Sequence, residues 1–94
     1  MKLSTDQVNE RLAACPGWAS DGNAISKLFT LPTFADAIAF VTRLAFDAEA
    51  SDHHPDIRIS YRKVTVTWST HSAGGVTEKD FEGARQSDMI AARF

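Results

Sequence analysis

All three histidines of the chain fall in one part of the sequence, and their side chains are the best candidates for chemistry. His53 and His54 are adjacent and precede Pro55, and His71 follows a stretch with the alternating pattern of a strand pair. The acidic residues expected to lie beside them are Glu49, Asp52 and Asp80. Imidazole exchanges protons near neutral pH and also binds metal ions, so the pattern indicates an acid–base centre or a metal site. Surface histidines around a hairpin, beside solvated acids, are the simpler alternative.

A metal site is the weaker of the two chemical interpretations. Zinc accepts three histidines and a water molecule, but helical zinc ligands lie four residues apart, as in the His-Glu-x-x-His motif, which this sequence lacks. Neighbouring residues of an extended segment point to opposite sides, so His53 and His54 are poorly placed to share one ion. We therefore predict that no metal is bound.

Other kinds of site find no support in the sequence. There is no Gly-x-Ser-x-Gly elbow and no glycine-rich phosphate loop, and the one cysteine, Cys15, is distant from the histidines. A single cysteine also excludes an internal disulfide. The net charge of −2 gives no electrostatic reason to expect nucleic-acid binding. Proton transfer is the chemistry that the residues favour.

Helix caps predict three helices. Ser4 and Thr33 each begin a capping sequence, and the second helix should reach about Ala50. Thr77 and Asp80 have the spacing that caps a last helix. In that interpretation Asp80 is simply part of a cap.

Alternating apolar residues predict four strands. Two short strands should surround a turn at Asp21-Gly22, and two more, 57–61 and 64–68, should surround a turn at Arg62-Lys63. The order α-β-β-α-β-β-α predicts an α+β fold, a four-stranded antiparallel sheet with three helices packed on one face. His53 and His54 would lie where the second helix meets the third strand, and the geometry of the hairpin permits His71 to return beside them.

Length and composition set the wider expectations. A chain of 94 residues predicts a single domain, 1–94, and no apolar run approaches the ~20 residues needed to cross a bilayer. The N-terminus lacks the apolar core of a secretory signal, so a cytoplasmic protein is expected. The helix that contains Ala37–Phe46 is apolar on more than one side, which predicts a subunit interface.

The histidine stretch resembles the signature of the pterin-4a-carbinolamine dehydratases. The resemblance rests on Glu49-x-x-x-His53-His54-Pro55, followed by Tyr61, His71 and Asp80 at the family's spacings. It extends over nearly the whole chain, through Gly17-Trp18, Ile25, Phe29, Phe34, Ala37, Phe40, Ser69-Thr70-His71 and Gly75-Val76-Thr77. It implies dehydration of a 4a-hydroxytetrahydropterin to quinonoid dihydropterin, within the recycling of tetrahydropterin, with neither a metal nor an organic cofactor.

The resemblance also implies roles for individual residues. His53 and His71 would be the acid and the base, and His54 would mainly position the pterin. The residues that would shape or orient the substrate pocket are Glu49, Pro55, Thr70 and Asp80. Family members form homodimers and homotetramers, which agrees with the apolar second helix.

Two observations leave alternatives to the dehydratase function: the sequence departs from the family pattern at some positions, and some family members have a second role. Members often carry tryptophan where this chain has Ile57, arginine where it has Lys79, and an aliphatic residue where it has Trp68. Of these differences, Ile57 allows a relative that acts on a molybdopterin-related compound. A binding partner of an aromatic amino acid hydroxylase or of a transcription factor is the other alternative to the enzyme.

Overall fold

A computed structural model describes residues 1–94 and shows three helices and one four-stranded antiparallel sheet. The strands lie in the order β1-β2-β4-β3. The elements in chain order are α1 (Thr5–Leu12), β1 (Ala19–Ser20), β2 (Ile25–Thr30), α2 (Phe34–Ser51), β3 (Asp56–Ser60), β4 (Lys63–Trp68) and α3 (Glu78–Ala91), with a short 3-10 turn (His71–Ala73) before α3. The predicted α+β fold is confirmed.

All three helices begin at the side-chain caps that the sequence predicts. Ser4 and Gln7 form a reciprocal capping box at α1, and the Thr33 hydroxyl accepts from the Asp36 N–H at α2. Such caps satisfy backbone donors that have no partner within the helix. Thr77 and Asp80 form a second capping box at α3, and this one lies in the buried interior.

The two turns of the sheet lie one residue away from their predicted positions. Ser60 pairs with Lys63, so the β3–β4 turn is centred on Tyr61-Arg62 rather than on Arg62-Lys63. Tyr61 adopts a φ of 56°, a left-handed conformation that is rare for a residue other than glycine, and its side chain is 72% exposed. The first turn is centred on Gly22-Asn23 rather than on Asp21-Gly22, because Asp21 and Ala24 close it with a backbone hydrogen bond.

The core lies between one face of the sheet and the helices. On the central strand β4, buried residues alternate with less buried threonines, and the buried set is Val64, Val66 and Trp68. Phe40 and Leu44 of α2 and Phe81 of α3 are also fully or almost fully buried. The edge strand β3 is mostly exposed, with Ile57 only partly buried. No helix is both long and apolar enough to cross a membrane.

Candidate active site

The two adjacent histidines follow the end of α2, and their side chains contact different partners. Asp52 ends the helix in a left-handed conformation, with a φ of 52°, and Pro55 directly precedes the start of β3 at Asp56. His53 Nε2 then lies 2.7 Å from Asp80 Oδ1, whereas His54 Nε2 lies 2.6 Å from Glu49 Oε1. The two rings therefore belong to separate hydrogen-bonded pairs, one partly buried and one exposed.

Asp80 is the centre of the buried pair. Its side chain is 0% exposed, and its Oδ2 accepts from the Thr70 hydroxyl at 2.8 Å and from the Thr77 N–H at 2.9 Å. The Thr77 hydroxyl donates to Thr70 Oγ1 at 2.8 Å, because the Thr70 proton is already directed to Asp80. A buried carboxylate requires such donors, and the N-terminal turn of α3 also favours negative charge.

This network assigns the proton on His53. An ionised carboxylate only accepts hydrogen bonds, so His53 Nε2–H donates to Asp80. Nδ1 is then the nitrogen that remains available to exchange a proton with a ligand. A fixed tautomer and a fixed ring orientation are what a catalytic imidazole requires.

The ring of His53 is also held by packing against Trp68. The two rings stack with centroids 5.3 Å apart and planes 26° apart. The indole N–H donates to the buried hydroxyl of Ser87 at 3.2 Å. Gly83 leaves the space for this indole, because an added Cβ would lie 2.5 Å from two of its ring carbons. Trp68, which departs from the aliphatic residue expected at its position, thus supports the candidate site.

A cavity of about 400 Å³ lies in the groove between α2 and α3, and His53 and Trp68 line its base. The wall from α2 consists of Leu44, Asp47, Ala50 and Ser51, and the wall from α3 consists of Lys79, Glu82, Gly83 and Gln86. Both sets repeat at intervals of three and four residues, the spacing of one helix face. That spacing is visible in the sequence, but it does not reveal that the two faces oppose each other.

The other predicted residues lie outside this cavity lining. The His54 side chain is 54% exposed, and Glu49, its partner, is 76% exposed. His71 is exposed and begins the 3-10 turn directly after Thr70. The structure thus brings His53, Thr70 and Asp80 together. The sequence analysis identified Thr77 only as a helix cap and missed most of the cavity walls. No group of three or more His, Cys, Asp and Glu side chains is arranged to hold a metal ion.

Two ion pairs affect charged groups near α3. Hydrogen bonding and charge from Arg85 lower the pKa of Glu82, on the cavity wall, so that carboxylate is ionised and already paired. At the start of α3, the hydrogen bond from Arg11 lowers the pKa of Glu78, and the same contact raises the pKa of Arg11. Because Arg85 pairs with Glu82, Asp47 is the cavity carboxylate with neither a hydrogen bond nor an ion pair to the protein.

Comparison with known proteins decides the family. The family model described as pterin 4 alpha carbinolamine dehydratase matches residues 1–90. The chain belongs to the pterin-4a-carbinolamine dehydratase family. The resemblance carried by the histidine stretch is therefore confirmed.

Individual family members match over nearly their whole length. A protein of Roseiflexus sp. (strain RS-1), named "Putative pterin-4-alpha-carbinolamine dehydratase", is 54% identical over 89 residues, which are 95% of this chain and 96% of that protein. A protein of the same name from Chloroflexus aurantiacus is 49% identical over 95% of this chain and 96% of its own. The family resemblance thus covers almost the entire chain.

Solved structures agree with the fold. The crystal structure of a "transcriptional coactivator/pterin dehydratase" from Brucella melitensis has a TM-score of 0.93 and 39% identity, covering 97% of this chain and 99% of that one. A pterin dehydratase-like protein described as a RuBisCO assembly factor in the alpha-carboxysome has a TM-score of 0.66 at 23% identity, over 79% of this chain and 86% of its own. The second likeness shows the fold alone.

Proposed function

We propose that this protein dehydrates a 4a-hydroxytetrahydropterin to quinonoid dihydropterin by histidine acid–base catalysis. The observation that carries the proposal is the placement of His53, which lines the α2–α3 cavity while Asp80 holds its Nε2. The family membership supplies the substrate class. Thr70 and Asp80 act as positioning residues in this proposal, because both are buried behind the imidazole.

The reaction requires two proton movements and no oxidant or reductant. The C4a–O bond breaks, its electron pair leaves with the oxygen, and a proton delivered to that oxygen completes a water molecule. The N5 lone pair forms the C4a=N5 bond, and N5 then releases its proton. An imidazolium supplies the first proton and a neutral imidazole accepts the second, so the protein ends with the same number of protons.

His53 and His71 are our proposed acid and base, with His54 and Glu49 positioning the pterin near Pro55. Nδ1 of His53 is the atom that exchanges the proton, since Nε2 is held by Asp80. His71 and His54 lie outside the cavity lining, so this proposal requires the C4a–N5 bond to lie at the mouth of the cavity, within reach of both His53 and His71. Catalysis of this kind is typically worth about 10²–10⁴-fold in rate.

The test is dehydration of freshly generated 4a-hydroxytetrahydropterin by the wild-type protein, followed by absorbance. We expect a clear acceleration over the spontaneous reaction, and we expect it to survive exhaustive chelation because proton transfer needs no metal. A folded wild-type protein with no acceleration would refute the proposed activity. A loss on chelation that zinc restores would refute the metal-free mechanism.

We also propose that the chain forms a homodimer or homotetramer through α2. Three exposed apolar side chains lie on this helix, Phe34 at 49%, Ile38 at 40% and Phe46 at 69% exposure. Exposed apolar side chains clustered on one helix are typical of an interaction surface. The proposed occupant is a second copy of the same chain, in accord with the family's homo-oligomers.

Sedimentation velocity at micromolar concentration tests this interface. We expect an oligomer for wild type and a shift toward monomer for Phe46→Asp, because the charge would be buried without a partner. Met89→Asp is the matched control, since Met89 is 66% exposed on α3 instead. A strictly monomeric wild type, or equal dissociation in both variants, would contradict an interface on α2.

A second candidate function is that of a protein-binding partner. It is favoured by the name of the Brucella melitensis relative, which pairs coactivator with pterin dehydratase. An aromatic amino acid hydroxylase, the class of enzyme that would generate the substrate, is the partner that the enzyme function suggests. Ile57, partly buried on the edge strand β3, is the residue that would favour a molybdopterin-related compound instead.

A further inference from the structure

The α2–α3 cavity contains two charged side chains that are not paired. Asp47, partly buried on the α2 wall, and Lys79, on the α3 wall, form neither a side-chain hydrogen bond nor an ion pair with the protein. They also do not pair with each other across the groove. The other ionisable side chains of the cavity are paired: Glu82 pairs with Arg85, and His53 pairs with Asp80. An open cavity with an unpaired carboxylate on one wall is suited to a ligand that offers hydrogen-bond donors.

We infer that Asp47 is a specificity-determining residue that binds the 2-amino and N3–H donors of the substrate's pyrimidine ring. This inference rests on the proposed function. The two donors are adjacent on one edge of a pterin, and a carboxylate can accept both at once with its two oxygens. Asp47 would thereby distinguish a 2-amino pteridine from one that carries an oxygen at the same position.

The position of Asp47 along α2 agrees with such a role. Asp47 lies four positions before Ser51, the last residue of the helix, which corresponds to about 6 Å along the helix axis. His53 follows two residues later and closes the same cavity. A flat two-ring ligand in the groove can therefore offer its pyrimidine edge to Asp47 and its central C4a–N5 bond to His53. The apolar surface that Leu44 and Trp68 contribute to the cavity lining is suited to an aromatic ring system.

The inference predicts a change in binding rather than in chemistry. Hydrogen bonds to a charged group contribute roughly 1.5–3 kcal/mol, so Asp47→Asn should weaken pterin binding by roughly 10- to 100-fold. The asparagine amide offers one acceptor in place of two. KM should rise by a similar factor while kcat changes little, because Asp47 does not contact the reacting bond.

The experiment titrates the protein with two stable ligands, 7,8-dihydropterin and 7,8-dihydrolumazine, which carries oxygen in place of the 2-amino group. Wild type should prefer the pterin by at least 10-fold, and Asp47→Asn should lose most of that preference. Asp21→Asn, an exposed change of the same chemistry in the first turn, should keep it. Circular dichroism checks that both variants are folded.

The outcomes separate the inference from the proposed function. A wild type that dehydrates the substrate, combined with an Asp47→Asn variant that keeps the full preference for pterin over lumazine, would overturn the role of Asp47 alone. A wild type that neither binds the pterin nor accelerates dehydration would overturn the proposed function, and the role of Asp47 with it. A kcat that falls with an unchanged KM would also count against a role in recognition.

Discussion

Replacing Asp80 with alanine is expected to lower the free energy of unfolding by about 3–5 kcal/mol, because it removes one member of a buried, hydrogen-bonded pair. Asp80 is 0% exposed and accepts hydrogen bonds from Thr70, Thr77 and His53. Without it, two buried donors lose their acceptor and α3 loses half of its capping box. Each kcal/mol corresponds to about 4–8 °C in the midpoint of thermal unfolding for a domain of this size.

The chain itself supplies the control for this prediction. Asp36 occupies the equivalent third position of α2 and accepts from the Thr33 hydroxyl at 2.9 Å, but no histidine depends on it. Asp36→Ala should therefore cost only about 1 kcal/mol, the usual value for a helix cap. Urea denaturation of the two variants measures the difference. Equal losses would mean that Asp80 acts only as a cap.

Replacing His53 with alanine is expected to reduce kcat/KM for 4a-hydroxytetrahydropterin by about 10²–10⁴-fold, the usual contribution of a general acid or base. The reason is local, since His53 lines the cavity and its Nε2 is held 2.7 Å from Asp80. His71→Ala should also lose activity substantially if His71 supplies the second proton transfer. His54→Ala should act mainly through KM, because its ring is exposed and paired with Glu49.

Two measurements decide this prediction. Steady-state kinetics of the three histidine variants separate kcat from KM, and circular dichroism shows whether each variant is folded. The Asp80 carboxylate keeps its two other donors in His53→Ala, so that variant should fold. A folded His53→Ala protein with the kcat of wild type would contradict a catalytic role for His53.

Most of the secondary structure could be predicted from the sequence because its signals are local. A helix cap depends on side chains three residues apart, and Ser4, Thr33 and Thr77 all begin helices as expected. The alternation of apolar and polar residues along β4 is also a local signal, and it identifies the buried face of the strand. The turns were each displaced by one residue, because their position depends on which residues pair across strands, such as Ser60 with Lys63.

The candidate site could be predicted only in part. The sequence by itself placed His53 and His54 before the predicted hairpin and His71 after it, which permitted the three to meet, and the family resemblance pointed to His53, His54, His71 and Asp80. Only the tertiary structure decided that Asp80, which lies 27 positions from His53, is its partner, while His54 pairs with Glu49. The cavity was likewise decided by tertiary packing, since its walls belong to separate helices. Local patterns identify which residues share one face of a helix, but the distance between two helix faces depends on tertiary packing, such as that of the Trp68 indole against Gly83 of α3.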